Sequence, residues 1–138
     1  EALTDGSSEF SMRVRVSLRA LWALKDMKKL MNPANDATFA WQMVSHKLLR
    51  YGAFAPMATL ALATLYLAPK AGIYTLAAIG YIGFVLLAWQ GRKKEKDGQP
   101  LSALYSIPYY FMLLNLASYR ACVAFLKGEK KVIWNPRK

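Results

Sequence analysis

YGAFAPMATLALATLYLAPKAGIYTLAAIGYIGFVLLAW, residues 51–89, carries a single charged side chain, Lys70. That lysine stands beside Pro69 and close to Gly72, a combination that stops a helix and favours a tight turn. The arm on either side is roughly 18 residues long, the length a helix needs to cross a hydrocarbon core of about 30 Å. At that depth a backbone must satisfy its polar groups internally, so both arms read as helices. Buried helices of a soluble bundle would show polar residues at helical spacing, and these arms supply only scattered Thr and Tyr. The stretch is therefore expected to be a transmembrane helical hairpin, with helices over about 48–68 and 71–90.

Working outward, the charge lies almost wholly outside the hairpin. The chain has 138 residues and a formal charge of +11, with 55% hydrophobic residues. Beside membrane spans, such a balance points to the anionic surface of a cytoplasmic leaflet and not to nucleic acid. The single cysteine, Cys122, excludes an internal disulfide framework. The opening EALTDGSSEF lacks the basic and apolar regions of a signal peptide. Residues 1–11 are expected to be a polar lead-in from an upstream domain.

Residues 12–47 read as cytoplasmic interfacial helices. In the first, Val14, Leu18 and Leu21 fall on one stripe while Arg15 and Arg19 share the neighbouring one. Lys25 and Lys28 drift toward the apolar stripe, and their long stems can snorkel, which suits a helix lying among headgroups. Asn32 and Pro33 should end it. A second helix should start near Asp36, capped by Asp36 or Asn35. Trp41 on its approach, with His46, Lys47 and Arg50 at its edge, marks a membrane boundary of the cytoplasmic kind. His46 is the only histidine, and with no acidic or cysteine cluster beside it the residue is a boundary group and not a metal ligand.

After the hairpin, residues 91–100 read GRKKEKDGQP, a basic loop that the positive-inside rule assigns to the cytoplasm. A third apolar run over 104–126 carries Pro108, Asn115 and Arg120, and a basic tail over 127–138 follows it. The expected fold class is an all-α membrane protein: amphipathic interfacial helices, a transmembrane helical hairpin and a third membrane-embedded helix. Asn115 and Arg120 then face protein or water inside the membrane region.

The order of short motifs carries a resemblance. Arg13, Arg15, Val16 and Arg19 come first, followed by Asn32 with Pro33, Trp41, and then Ser45, His46, Lys47, Leu49 and Arg50. After the hairpin come Tyr110, Phe111 and Asn115, and finally Phe125, Leu126, Lys127 and Gly128 ahead of Trp134. This order resembles the C-terminal membrane region of bacterial family 2 glycosyltransferases, which are similar in plan to cellulose and hyaluronan synthases. The resemblance implies a multi-pass protein of the bacterial inner membrane with its N-terminal part in the cytoplasm. It also implies a missing N-terminal catalytic domain that uses a divalent metal, Mg or Mn, and a nucleotide-sugar donor with a glycan or lipid-linked acceptor.

The synthases carry a Q-x-x-R-W motif on an interfacial helix under the active site. At the matching place this chain has Val16, Ser17, Leu18, Arg19 and Ala20, so only the arginine matches, and Trp22 comes two positions later than the motif asks. Arg15, Arg19 and Trp22 are thereby candidate contacts to the nucleotide or the acceptor. No catalytic residue is expected in this stretch, because none of its acidic residues stands in a metal-binding or general-base context. A small basic membrane adaptor, or a transporter subunit lined by Asn115 and Arg120, accounts for the same charge and hydropathy without chemistry.

Overall fold

The computed structural model describes residues 6–70 and 72–130, and every regular element among them is helical. Five helices follow in order: α1 (Gly6–Asp26), α2 (Ala37–Gly52), α3 (Phe54–Leu67), α4 (Gly72–Lys96) and α5 (Ala103–Leu126). Helices α4 and α5 are each long and apolar enough to cross a membrane. Helices α2 and α3 meet that test only when taken together, and they are bent by 55° where they join.

Helix α1 begins at Gly6, well before residue 12, so the helix takes in part of the expected polar lead-in. It ends at Asp26, and a short 3-10 turn over Lys28–Met31 completes the segment. Asn32 is then extended (φ −78°, ψ 115°), as the residue before a proline must be. Asp36 is the N-cap of α2, its carboxylate accepting the Phe39 N–H at 3.0 Å.

The first arm of the expected hairpin is not one straight helix. A π-helical stretch over Met43–Leu48 opens the middle of α2. The break at Ala53 has a local cause: Pro56 has no N–H to give the Gly52 carbonyl, and its ring crowds that carbonyl. Helix α3 keeps 14 residues, about 21 Å of helix, short of a bilayer core. Phe54 at its start rests edge-on against Tyr119 of α5, with ring centroids 5.4 Å apart. At its far end the Ala68 carbonyl accepts a hydrogen bond from the Thr75 hydroxyl of α4. Helix α3 therefore links the C-terminal half of α5 to the start of α4.

The second arm runs longer than expected. Arg92, Lys93, Lys94 and Lys96, assigned by sequence to a loop, form the last turns of α4. Lysines there are favoured by the negative end of the helix dipole. Lys94 lies over the Tyr105 ring at 4.2 Å, and Glu95 accepts hydrogen bonds from the Tyr109 and Tyr110 hydroxyls. These contacts tie the end of α4 to α5. Gly91 is the closest approach of the two helices: a Cβ there would stand 2.6 Å from the Tyr105 carbonyl oxygen and 2.9 Å from Tyr109 Cβ.

The main apolar cluster lies between α1 and α5. Val14, Leu18 and Leu21 pack on Ala117, Ala121 and Ala124, with Phe10, Trp22, Tyr51, Cys122 and Phe125 at the margin. The alanines recur at helical spacing, which lets the two helices come close. The stripe that the sequence assigns to the headgroup region is thus covered by protein.

Candidate basic groove between α1 and α5

The C-terminal end of α5 is shaped by its cap. Gly128 takes a left-handed conformation (φ 76°), and its N–H and that of Glu129 return to the Phe125 and Ala124 carbonyls at 3.0 and 2.9 Å. The turn presents the Glu129 carbonyl to Trp22, whose Nε1–H donates to it at 3.0 Å. Trp22 also meets the Phe125 ring edge-on at 4.8 Å. Two ammonium groups complete the cluster, Lys25 at 4.6 Å and Lys130 at 4.8 Å from the indole centroid. Lys25 drifts toward the apolar stripe because its ammonium lies over aromatic rings, 5.7 Å from the Phe125 centroid as well.

Beside this latch an open groove of about 700 Å³ lies between α1 and α5. Arg15 enters from α1, Arg120 from α5, and Lys127, Glu129 and Lys130 from the turn beyond it. Residues that the sequence reads in separate roles, Arg15 as a nucleotide contact and Arg120 as a polar membrane group, thus line one surface. Among the described residues the one ion pair is Arg13 with Glu9, N to O 2.7 Å, four residues apart on α1. Arg15 and Arg120 therefore have no carboxylate at ion-pair distance there.

No protein-family model, curated protein or solved structure matches this chain. Its function must be argued from the placement of its own residues.

The remaining candidates sit elsewhere. Arg19 is exposed on α1 and does not line the groove. Trp22 is half-buried, with its indole N–H already used. Trp41 is 69% exposed, and its carbonyl accepts the Ser45 hydroxyl at 2.6 Å. His46 and Lys47 project from the π-helical stretch and Arg50 from the end of α2, all three exposed. They form an edge separate from the groove. Asn115 is turned back on its own helix, its Nδ2 donating to the Phe111 carbonyl at 2.9 Å. That bond satisfies one N–H of the amide within an apolar helix.

Among the described residues no three His, Cys, Asp or Glu side chains converge as a metal set. Lys127 and Lys130 belong to the groove, whereas the sequence reads both as part of a basic tail and Lys127 also as part of a resemblance motif. The available signal was the Phe125, Leu126, Lys127, Gly128 run, in which a glycine after an apolar helix forecasts the turn that folds these cations back. Residues 131–138, including Trp134, lie outside the described residues.

Proposed function

We propose that this chain is the membrane-anchoring C-terminal region of a bacterial family 2 glycosyltransferase, which transfers a sugar from a nucleotide-sugar donor to a lipid-linked or polysaccharide acceptor. The observation that carries this reading is the docking of α1. An arginine-bearing amphipathic helix is pinned along the end of an apolar helix, and its apolar side is used up in that contact. Arg19 is left on the open surface as a permanent cation. A sugar leaving a nucleotide diphosphate builds negative charge on the leaving group, and a guanidinium carried on a docked helix stabilises that charge with paired donors. On this reading Trp22 is a positioning residue that fixes α1 through Glu129 and Phe125, and Arg19 is the contact to the diphosphate or the acceptor.

Helix α4 crosses the inner membrane, and the basic turns from Arg92 to Lys96 lie at the cytoplasmic surface. The basic groups around α1 and the turn after α5 lie at the same surface, with α5 inclined between them. The catalytic domain, with its Mg or Mn, stands on the N-terminal side of α1.

The test is Arg19→Ala in the full-length enzyme, assayed for sugar incorporation in membranes. Transfer is expected to fall by about two to three orders of magnitude, the usual cost of a lost charge-stabilising donor, with unchanged protein level in the membrane. Near-normal turnover overturns the role. Reading the coding DNA upstream of Glu1 tests the wider assignment, which requires a nucleotide-sugar domain with spaced aspartates in the same frame.

A further inference from the structure

The groove between α1 and α5 is lined by apolar and cationic side chains together. Phe10 of α1 and Val123 of α5, both half-buried, stand among Arg15, Arg120 and Lys127. An arginine pair is suited to a phosphate, since guanidinium forks meet its oxygens with charge-assisted bonds. Glu129, which also lines the groove, pairs with none of these cations at ion-pair distance. The position along α5 adds a further constraint. Arg120 stands six residues before the helix end at Leu126, about 9 Å along the axis. From there its long side chain can extend to the headgroup region at that end of α5. Cations with no carboxylate at ion-pair distance among the described residues, beside apolar side chains and at the end of an apolar helix, fit an amphiphile better than a wholly water-soluble anion.

We propose that this groove binds an anionic phospholipid, its phosphate held among Arg15, Arg120 and Lys127 and an acyl chain lying along Phe10 and Val123. The site rests on the membrane placement of the chain but not on glycosyl transfer. Its readout is lipid binding, so failure of the Arg19 experiment leaves it standing, and its own failure leaves the transferase reading intact.

The experiment uses the full-length protein in uncharged maltoside micelles, titrated with phosphatidylglycerol, phosphatidylcholine or inorganic pyrophosphate. Binding is followed by native mass spectrometry and by the shift in Tm. Phosphatidylglycerol is expected to bind and raise Tm, and pyrophosphate to leave it unchanged. The double variant R15Q/R120Q is expected to bind phosphatidylglycerol roughly tenfold more weakly. The double variant K93Q/K94Q, altered at the other basic end, is expected to bind it normally. R15K/R120K, which keeps both charges, controls for folding and should recover part of the affinity. Three outcomes overturn the proposal: an equal response to pyrophosphate, which would make this a site for a free diphosphate; equal binding of phosphatidylcholine; or phosphatidylglycerol affinity that R15Q/R120Q leaves unchanged.

Discussion

The α1–α5 junction and the α3–α4 arm are both rich in apolar residues, but they use them in opposite ways. At the junction, large side chains of α1 are inside against the small ones of α5: Val14, Leu18, Leu21 and Leu24 are buried, with Leu18 1% exposed, and the first three lie over Ala117, Ala121 and Ala124. In the arm, only small residues are inside. Ala61, Ala78, Ala88 and Gly91 are buried, while Leu62 is 69% and Ile73 74% exposed. A helix packed in water hides its leucines, and one packed in lipid hides its small residues so that backbones can approach, leaving leucines to the solvent tails. One chain thus contains two packing regimes. Polar groups in the arm agree with the second regime: the Thr59 and Thr64 hydroxyls donate to the Ala55 and Leu60 carbonyls of their own helix at 3.0 and 2.8 Å.

The junction and the arm should respond differently to substitution, read as unfolding free energy in detergent micelles. Leu18→Ala should have the largest effect, a loss of about 3 to 4 kcal/mol, because it leaves a cavity in a site with no exposure. A loss below about 1 kcal/mol would mean that α1 is not packed on α5. Gly91→Ala should destabilise by about 2 kcal/mol, since its new methyl meets backbone and a Cβ and not a flexible side-chain end. A neutral result there would remove the close contact between α4 and α5. Trp22→Phe keeps the ring packing but deletes the N–H bond to Glu129, and about 1 kcal/mol should be lost. Limited proteolysis should then cut sooner after Lys127. Leu62→Ala, in the arm, should change micelle stability by less than about 0.5 kcal/mol. A large loss at Leu62 would show that protein and not lipid covers this face.

Helix α5 joins the two regimes and sharpens the question of orientation. Arg92 to Lys96 stand beside its beginning, while Lys127 and Lys130 follow its end. A 24-residue helix separates these groups by about 36 Å along its axis. With Cys122 replaced by Ser, single cysteines at Lys94 and Lys127 should be labelled by an impermeant maleimide from the same, cytoplasmic face. Labelling from opposite faces would make α5 a full crossing and would put the groove on the outer side.

Much of this was legible in the residues. The period of Val14, Leu18 and Leu21 forecast a helix with one apolar face, and Asp36 forecast a cap. Arg15 and Arg19 could be placed on a neighbouring face. The break at Ala53 was less visible, because run length counts apolar residues and does not weigh the hydrogen bond that Pro56 withholds from Gly52. The basic run after residue 91 reads as a loop by charge, yet Glu95 within it finds two tyrosines fourteen and fifteen residues on, and the helix continues.

The sequence by itself determined that the chain is helical, that its apolar runs are long enough for a membrane, and that its charge gathers at their ends, since periodicity, run length and net charge are local properties. Only the tertiary structure decided which apolar face is covered by protein and which is left open. It also decided that Arg15 and Arg120, more than a hundred positions apart in the chain, share one groove. Those outcomes depend on which helix surfaces are small enough to meet, Ala117, Ala121 and Ala124 against α1 and Gly91 against Tyr105 and Tyr109, and shape complementarity between distant segments leaves no periodic mark in a single sequence.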